Sequence, residues 1–125
     1  MLFKERLHAL LQGEDHPFVG SQRAVSLPII VRLCNKIQRG VIFAPIFTKD
    51  GVVINGHHRY LAARLANSVV EDIPWETSCV KQPRQWSLVE IDEVDWDTPE
   101  AVAAHDKRDA VCMEMTLEEF LESLK

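Results

Sequence analysis

The stretch IFAPIFTKDGVVINGHHRYLAARLAN, residues 42–67, decides the fold. Ile42 to Thr48 is a β-type run, Asp50-Gly51 is a tight-turn dipeptide and Val52-Val53-Ile54 is a second apolar run, so the segment predicts a β-hairpin. Pro45 cannot donate to a ladder and belongs at an edge or an end of the first strand. From about His57 to Asn67 there is no Gly or Pro, and Leu61, Ala62, Leu65 and Ala66 share one side, which predicts a helix. The hairpin therefore runs straight into a helix N-terminus at Asn55-Gly56-His57-His58-Arg59. The first N–H groups of any helix lack intrahelical partners and carry roughly half a positive charge, so this corner is a candidate anion site. Gly56 permits close approach to the backbone, while His58 and Arg59 offer charge-assisted hydrogen bonds.

Working outward, Phe3, Leu7, Leu10 and Leu11 recur at helical spacing and Gly13 is placed to end that helix. Residues 14–23, with Pro17 and Gly20, read as a connector with room for a short strand. Ser26 offers an N-cap, Pro28 suits a first turn, and Ile30, Leu33, Cys34 and Ile37 form a stripe closed by Gly40. After Val69-Val70 and Ile73-Pro74-Trp75 comes a polar loop through Pro83, and Trp86 to Ile91 reads as a strand. Asp97 or Thr98 caps a helix opening at Pro99. Thr116-Leu117-Glu118-Glu119 is a capping box, with Met115 and Phe120 as its hydrophobic staple. The expected fold class is α/β (α+β): one small mixed sheet flanked by helices, with the hairpin leading into the anion-binding helix.

A chain of 125 residues fits a single domain with an ordinary core. Its net charge of −5 argues against a broad basic face, so membrane binding is not expected and any DNA or RNA contact must be local. Charge is nonetheless uneven. Residues 22–64 are basic, whereas Glu90, Asp92, Glu93, Asp95, Asp97 and Glu100 crowd an acidic C-terminal extension over residues 86–125. Cys34, Cys79 and Cys112 are odd in number and form no CxxC pair, which suggests free thiols in a reducing cytoplasm rather than disulfides or zinc. The N-terminal MLFKERLHALLQ is interrupted by charges and does not read as a signal peptide.

Each candidate residue has a plain reading beside the functional one. Arg59 either pairs with a surface carboxylate or grips a phosphate. His57 and His58 point about 100° apart on a helix, so one is structural and a zinc site built on both is disfavoured. Asn55 caps the helix or lines the pocket, and Tyr60 stacks on a base or packs in the core. The acidic run from Glu90 to Glu100 reads as a solvated face, with a metal or a basic partner as the alternative. Glu14 and Asp15 are the acids nearest the unit and the candidates for a base or magnesium ligand.

The order helix, strand with a Pro45-Ile46 step, DG turn, strand, then G-x-H-R at a helix start followed by Ala62 and Ala63, resembles the ParB/sulfiredoxin superfamily. The resemblance covers about residues 17–75. It implies a small α/β domain in which the glycine-led motif holds nucleotide phosphates. By position Gly56 matches the motif glycine, and His57, His58 and Arg59 match the residues after it. Partition proteins carry Glu-Arg-Arg there and sulfiredoxins Cys-His-Arg, so His57 replaces the sulfiredoxin nucleophile and that redox reaction is not expected. His58 and Arg59 keep the sulfiredoxin-type phosphate-binding pair. His57 stands where relatives place their reactive residue and is a candidate general acid or base. The implied ligand is a nucleotide or other phosphate, with Mg2+ offsetting charge. The implied chemistry is phosphate hydrolysis or transfer, the alternatives being a DNA-processing nuclease, which net charge disfavours, and a non-catalytic protein-interaction module.

Overall fold

The computed structural model describes residues 2–76 and 81–125. Cys79 and part of the expected polar loop lie outside them. The helices are α1 (Phe3–Gln12), α2 (Leu27–Gln38), α3 (His57–Leu65), α4 (Pro99–Cys112) and α5 (Leu117–Ser123). The strands are β1 (Ala24–Ser26), β2 (Ile46–Lys49), β3 (Val52–Asn55), β4 (Asp72–Pro74) and β5 (Glu90–Asp92). The chain is a mixed α/β fold, as expected. Its strands form two small sheets rather than one: β3-β2-β4, and a parallel pair of β1 with β5.

The hairpin β2–β3 turns through Asp50 (φ 52°) and Gly51 (φ 78°), both left-handed, as a two-residue turn matching the strand twist requires. A bulge between Phe47 and Thr48 sets Phe47 opposite Asn55 and Thr48 opposite Val53. Val53 and Ile54 can then both be buried although they are consecutive. Pro45 immediately precedes β2, which is the central strand, so the proline marks an end and not an edge. The ladder opens one residue later, where Ile46 N–H donates to the Glu71 carbonyl at 2.9 Å. Residues 42–45 lie outside the sheet, which shortens the predicted strand. β4, which no sequence pattern predicted, runs parallel to β2 at the sheet edge, where Pro74 is tolerated.

The core gathers around α3. Tyr60, Leu61, Ala62, Ala63 and Leu65 are buried, and the two alanines let α2 pack close against it. Leu7 and Leu11 of α1, Val25, Ile30, Cys34, Ile46, Val53, Trp86 and Val89 join the cluster. Tyr60 is a core residue: it stacks on Trp86 with centroids 5.1 Å apart and planes 12° apart. The indole N–H of Trp86 donates to the Phe18 carbonyl at 2.9 Å. That anchoring corrects the expected strand over Trp86 to Ile91. Trp86–Leu88 is a 3-10 turn, and only Glu90–Asp92 pairs as a strand.

The acidic C-terminal extension folds back on basic α2. Arg32 pairs with Asp95 and Asp97, and Lys36 reaches Asp106 at 2.8 Å and Asp109 at 2.7 Å. Within the run from Glu90 to Glu100, Asp95 and Asp97 are thus structural, whereas Glu90, Glu93 and Glu100 are exposed, as a solvated face requires. Thr98, not Asp97, caps α4 by accepting from Ala101 N–H at 3.1 Å. The capping box is present at α5, with Thr116 and Glu119 bonding reciprocally at 3.1 and 3.3 Å. Phe120 and Met115 join Val41 and Ala110 in a second small core. Among the described residues no helix is long and apolar enough to cross a membrane.

Candidate functional site

Gly56 adopts φ 101°, a left-handed conformation that turns the end of β3 into α3. A Cβ added there would lie 2.6 Å from Ile46 Cγ2 and 2.8 Å from Arg59 Nη2. Glycine is thus required by both conformation and space. No side chain caps α3. Its first intrahelical bond runs from Tyr60 N–H to the Gly56 carbonyl, and among the described residues the N–H groups of His57, His58 and Arg59 have no acceptor.

The two histidines diverge, as their helical spacing dictates. His57 is 2% exposed, and its Nε2 accepts the Ser21 N–H at 2.9 Å. The neutral ring therefore carries its proton on Nδ1. Burial, then the positive charges of Lys81 and His58, holds its pKa down at about 4. His58 turns the other way, where its Nε2 accepts the Ser26 N–H at 2.9 Å and its ring meets Trp96 edge to face at 5.3 Å. Burial lowers its pKa, opposed by Asp97. Each imidazole ties α3 to a separate segment: His57 to the connector, His58 to β1. The two Nε2 atoms accept from different segments and so do not converge on one point, and among the described residues no group of three metal-ligating side chains gathers.

Arg59 is the charged group of the corner. Its Nη1 donates to the Ala44 carbonyl at 3.1 Å and its Nη2 to Asn55 Oδ1 at 2.9 Å. Asn55 therefore braces the guanidinium instead of capping the helix. Among the described residues no carboxylate pairs with Arg59, whose partial desolvation lowers its pKa. The plain salt-bridge reading of this side chain is not what the structure places there.

These groups border a cleft of about 280 Å³. Sequence reasoning missed two of its members. Lys81 Nζ donates to the Ile54 carbonyl at 2.9 Å, and Gln22 lines the cleft with a buried Oε1 that has no partner. Ser21, which holds His57, was missed as well. All three come from irregular segments, where no periodicity singles a residue out. Glu14 and Asp15 do not line the cleft; the Asp15 backbone carbonyl instead accepts from Arg64 Nη2 at 2.7 Å. Among the described residues the lining offers cations, N–H donors and the amide oxygens of Gln22 and Asn55 but no carboxylate, so it does not fit a magnesium ion held by the protein.

No family model, curated protein or solved structure matches this chain.

Proposed function

We propose that this protein binds a phosphate-bearing small molecule, a nucleotide in the first instance, at the N-terminus of α3. One observation carries the reading: the uncapped N–H groups of His57, His58 and Arg59 share a cleft with a guanidinium that lacks a carboxylate partner among the described residues. A phosphate oxygen at that position satisfies the helix donors and meets the positive end of the helix dipole. Arg59 and Lys81 supply the charge-assisted bonds. The likeness of the Gly56–Arg59 motif to the ParB/sulfiredoxin superfamily points to the same ligand class.

In this reading the histidines are posts. The His57 Nε2 already accepts a backbone N–H, which argues against a proton-transfer role for that atom and supports binding over phosphate hydrolysis or transfer. Any divalent cation would arrive on the ligand's own phosphates. The alternative of an acidic surface docking a basic partner has less support, because Asp95, Asp97, Asp106 and Asp109 are engaged by Arg32 and Lys36.

The test is a thermal-shift panel of CTP, ATP, ADP, GTP and inorganic phosphate, with and without magnesium. A ligand at 100 times its dissociation constant adds about 2.7 kcal/mol of stability. The expected result is a shift that Arg59→Ala abolishes while the variant stays folded. No shift with any phosphate, or an undiminished shift in Arg59→Ala, overturns the reading.

A further inference from the structure

Beside the α3 cleft lies a second one of about 650 Å³, and the two share Lys81. Arg23 and Arg84 line the second cleft, while Arg59 lines the first. No aspartate or glutamate among the described residues lines either. Among the described residues none of these four cations is paired with a carboxylate: Arg84 Nη1 reaches only the Leu88 carbonyl at 3.5 Å, and Lys81 the Ile54 carbonyl. Arg32, Lys36 and Arg108 are by contrast engaged by aspartates, while Arg6, Arg39 and Arg64 bond backbone carbonyls, so what singles out these two clefts is a cationic lining without acid. A chain of net charge −5 thus keeps one concave face free of acid.

We propose that this face is a track for a single strand of nucleic acid, its backbone phosphates running from the α3 N-terminus past Lys81 to Arg23 and Arg84. The proposal rests on the phosphate site above and extends its ligand from one nucleotide to several. Four cations in series suit a chain of phosphates better than a lone mononucleotide, whose charge Arg59, Lys81 and the helix N–H groups already meet. A concave track admits one backbone, whereas a duplex would need a protruding element to enter a groove. Among the described residues no phenylalanine, tyrosine or tryptophan lines either cleft, and the His57 and His58 rings there are held by the Ser21 and Ser26 N–H groups, so base stacking adds little and recognition is independent of sequence. The overall negative charge makes the contact local and sensitive to salt.

The experiment is fluorescence anisotropy of the full chain with a labelled twelve-residue oligothymidylate. With about four phosphates neutralised on a single strand, log affinity falls against log salt with a slope of about −3, or roughly 50-fold between 50 and 200 mM. The Arg23→Gln/Arg84→Gln double variant is expected to halve that slope, and Arg59→Ala to weaken binding as well. Binding that ignores the double variant, a slope near zero, or equal competition by polyglutamate or duplex overturns the proposal. The mononucleotide thermal shift is read separately: it is expected to survive in the double variant, so the track fails alone if mononucleotides bind but oligothymidylate binds no tighter. Oligothymidylate binding that Arg59→Ala leaves intact overturns a track continuous with the α3 site.

Discussion

Lys36 and Asp109 form a buried ion pair, Nζ to Oδ2 2.7 Å, with the lysine 4% and the aspartate 3% exposed. Asp106 and the face of Phe120, 5.8 Å from Nζ, complete the surroundings of the ammonium. One lysine on α2 thereby holds α4 and α5 against the rest of the molecule. Charge that reads in the sequence as a separate acidic extension is drawn into the fold.

Lys36→Ala leaves Asp109 buried without this cation. Arg108 Nη2 still reaches Asp109 Oδ1 at 3.2 Å, so the expected cost is about 3 kcal/mol, the low end of the penalty for stranding one member of a buried pair. Lys36→Met with Asp109→Leu removes both charges and is expected to recover most of that loss. Urea unfolding of the two variants checks it, and a Lys36→Ala cost under about 1 kcal/mol would show that the pair does not hold the C-terminal helices.

A second, partly buried network makes a similar prediction. Tyr60 Oη lies 2.8 Å from His16 Nδ1 and accepts from Arg64 Nη1 at 3.1 Å, while His16 Nε2 donates to the Leu10 carbonyl at 2.9 Å. Every role is consistent with one tautomer: His16 carries its proton on Nε2, and Tyr60 donates. Tyr60→Phe keeps the stack on Trp86 but strands His16 Nδ1, so it is expected to cost about 1–3 kcal/mol in urea unfolding. A neutral result would mean that water replaces the hydroxyl.

Much of this architecture was legible because local chemistry and tertiary packing agree there. The Asp50-Gly51 turn, the helix after Gly56 and the Thr116 capping box each follow from a few adjacent residues. What escaped depended on distant partners. β4 is three exposed residues with a proline, and it is a strand only because β2 offers it a ladder. Trp86 looked like strand material, yet stacking on Tyr60 set its backbone. At the site, the Gly56–Arg59 motif was readable, whereas the fate of each histidine depended on the Ser21 and Ser26 N–H groups, which no spacing announces. Gln22 and Lys81 join the cleft from irregular chain for the same reason.

Acid is expected to weaken the fold through His57. The folded pKa is about 4 against about 6.5 unfolded, so between those values the unfolded chain binds the extra proton. Stability therefore rises with pH across that window: it is fully present above about 6.5 and is lost as pH falls toward 4. Two and a half units correspond to about 3 kcal/mol. His16 and His58, also lowered by burial, add to the loss in the same direction. Urea unfolding at stepped pH from 7 to 4 measures the slope, and His57→Gln, whose amide oxygen can accept the Ser21 N–H, is expected to flatten it. An unchanged slope in that variant would assign the acid sensitivity elsewhere.

Gly56→Ala tests the corner at its narrowest point, and Gly51→Ala supplies the comparison. Both glycines have positive φ, 101° and 78°, but a Cβ on Gly51 meets nothing within 4 Å, whereas one on Gly56 meets Ile46 Cγ2 at 2.6 Å. Gly51→Ala should therefore report the backbone cost alone, about 1–2 kcal/mol. Gly56→Ala adds the clash with a fully buried side chain of β2, which cannot swing away, for a further 1–3 kcal/mol by the usual cost of overpacking. The same Cβ also crowds Arg59 Nη2, so phosphate binding should fall in Gly56→Ala even under conditions where the protein remains folded, and should be unaffected in Gly51→Ala. Equal destabilisation of the two variants would show that Ile46 yields and that the corner is less tightly built than its distances indicate.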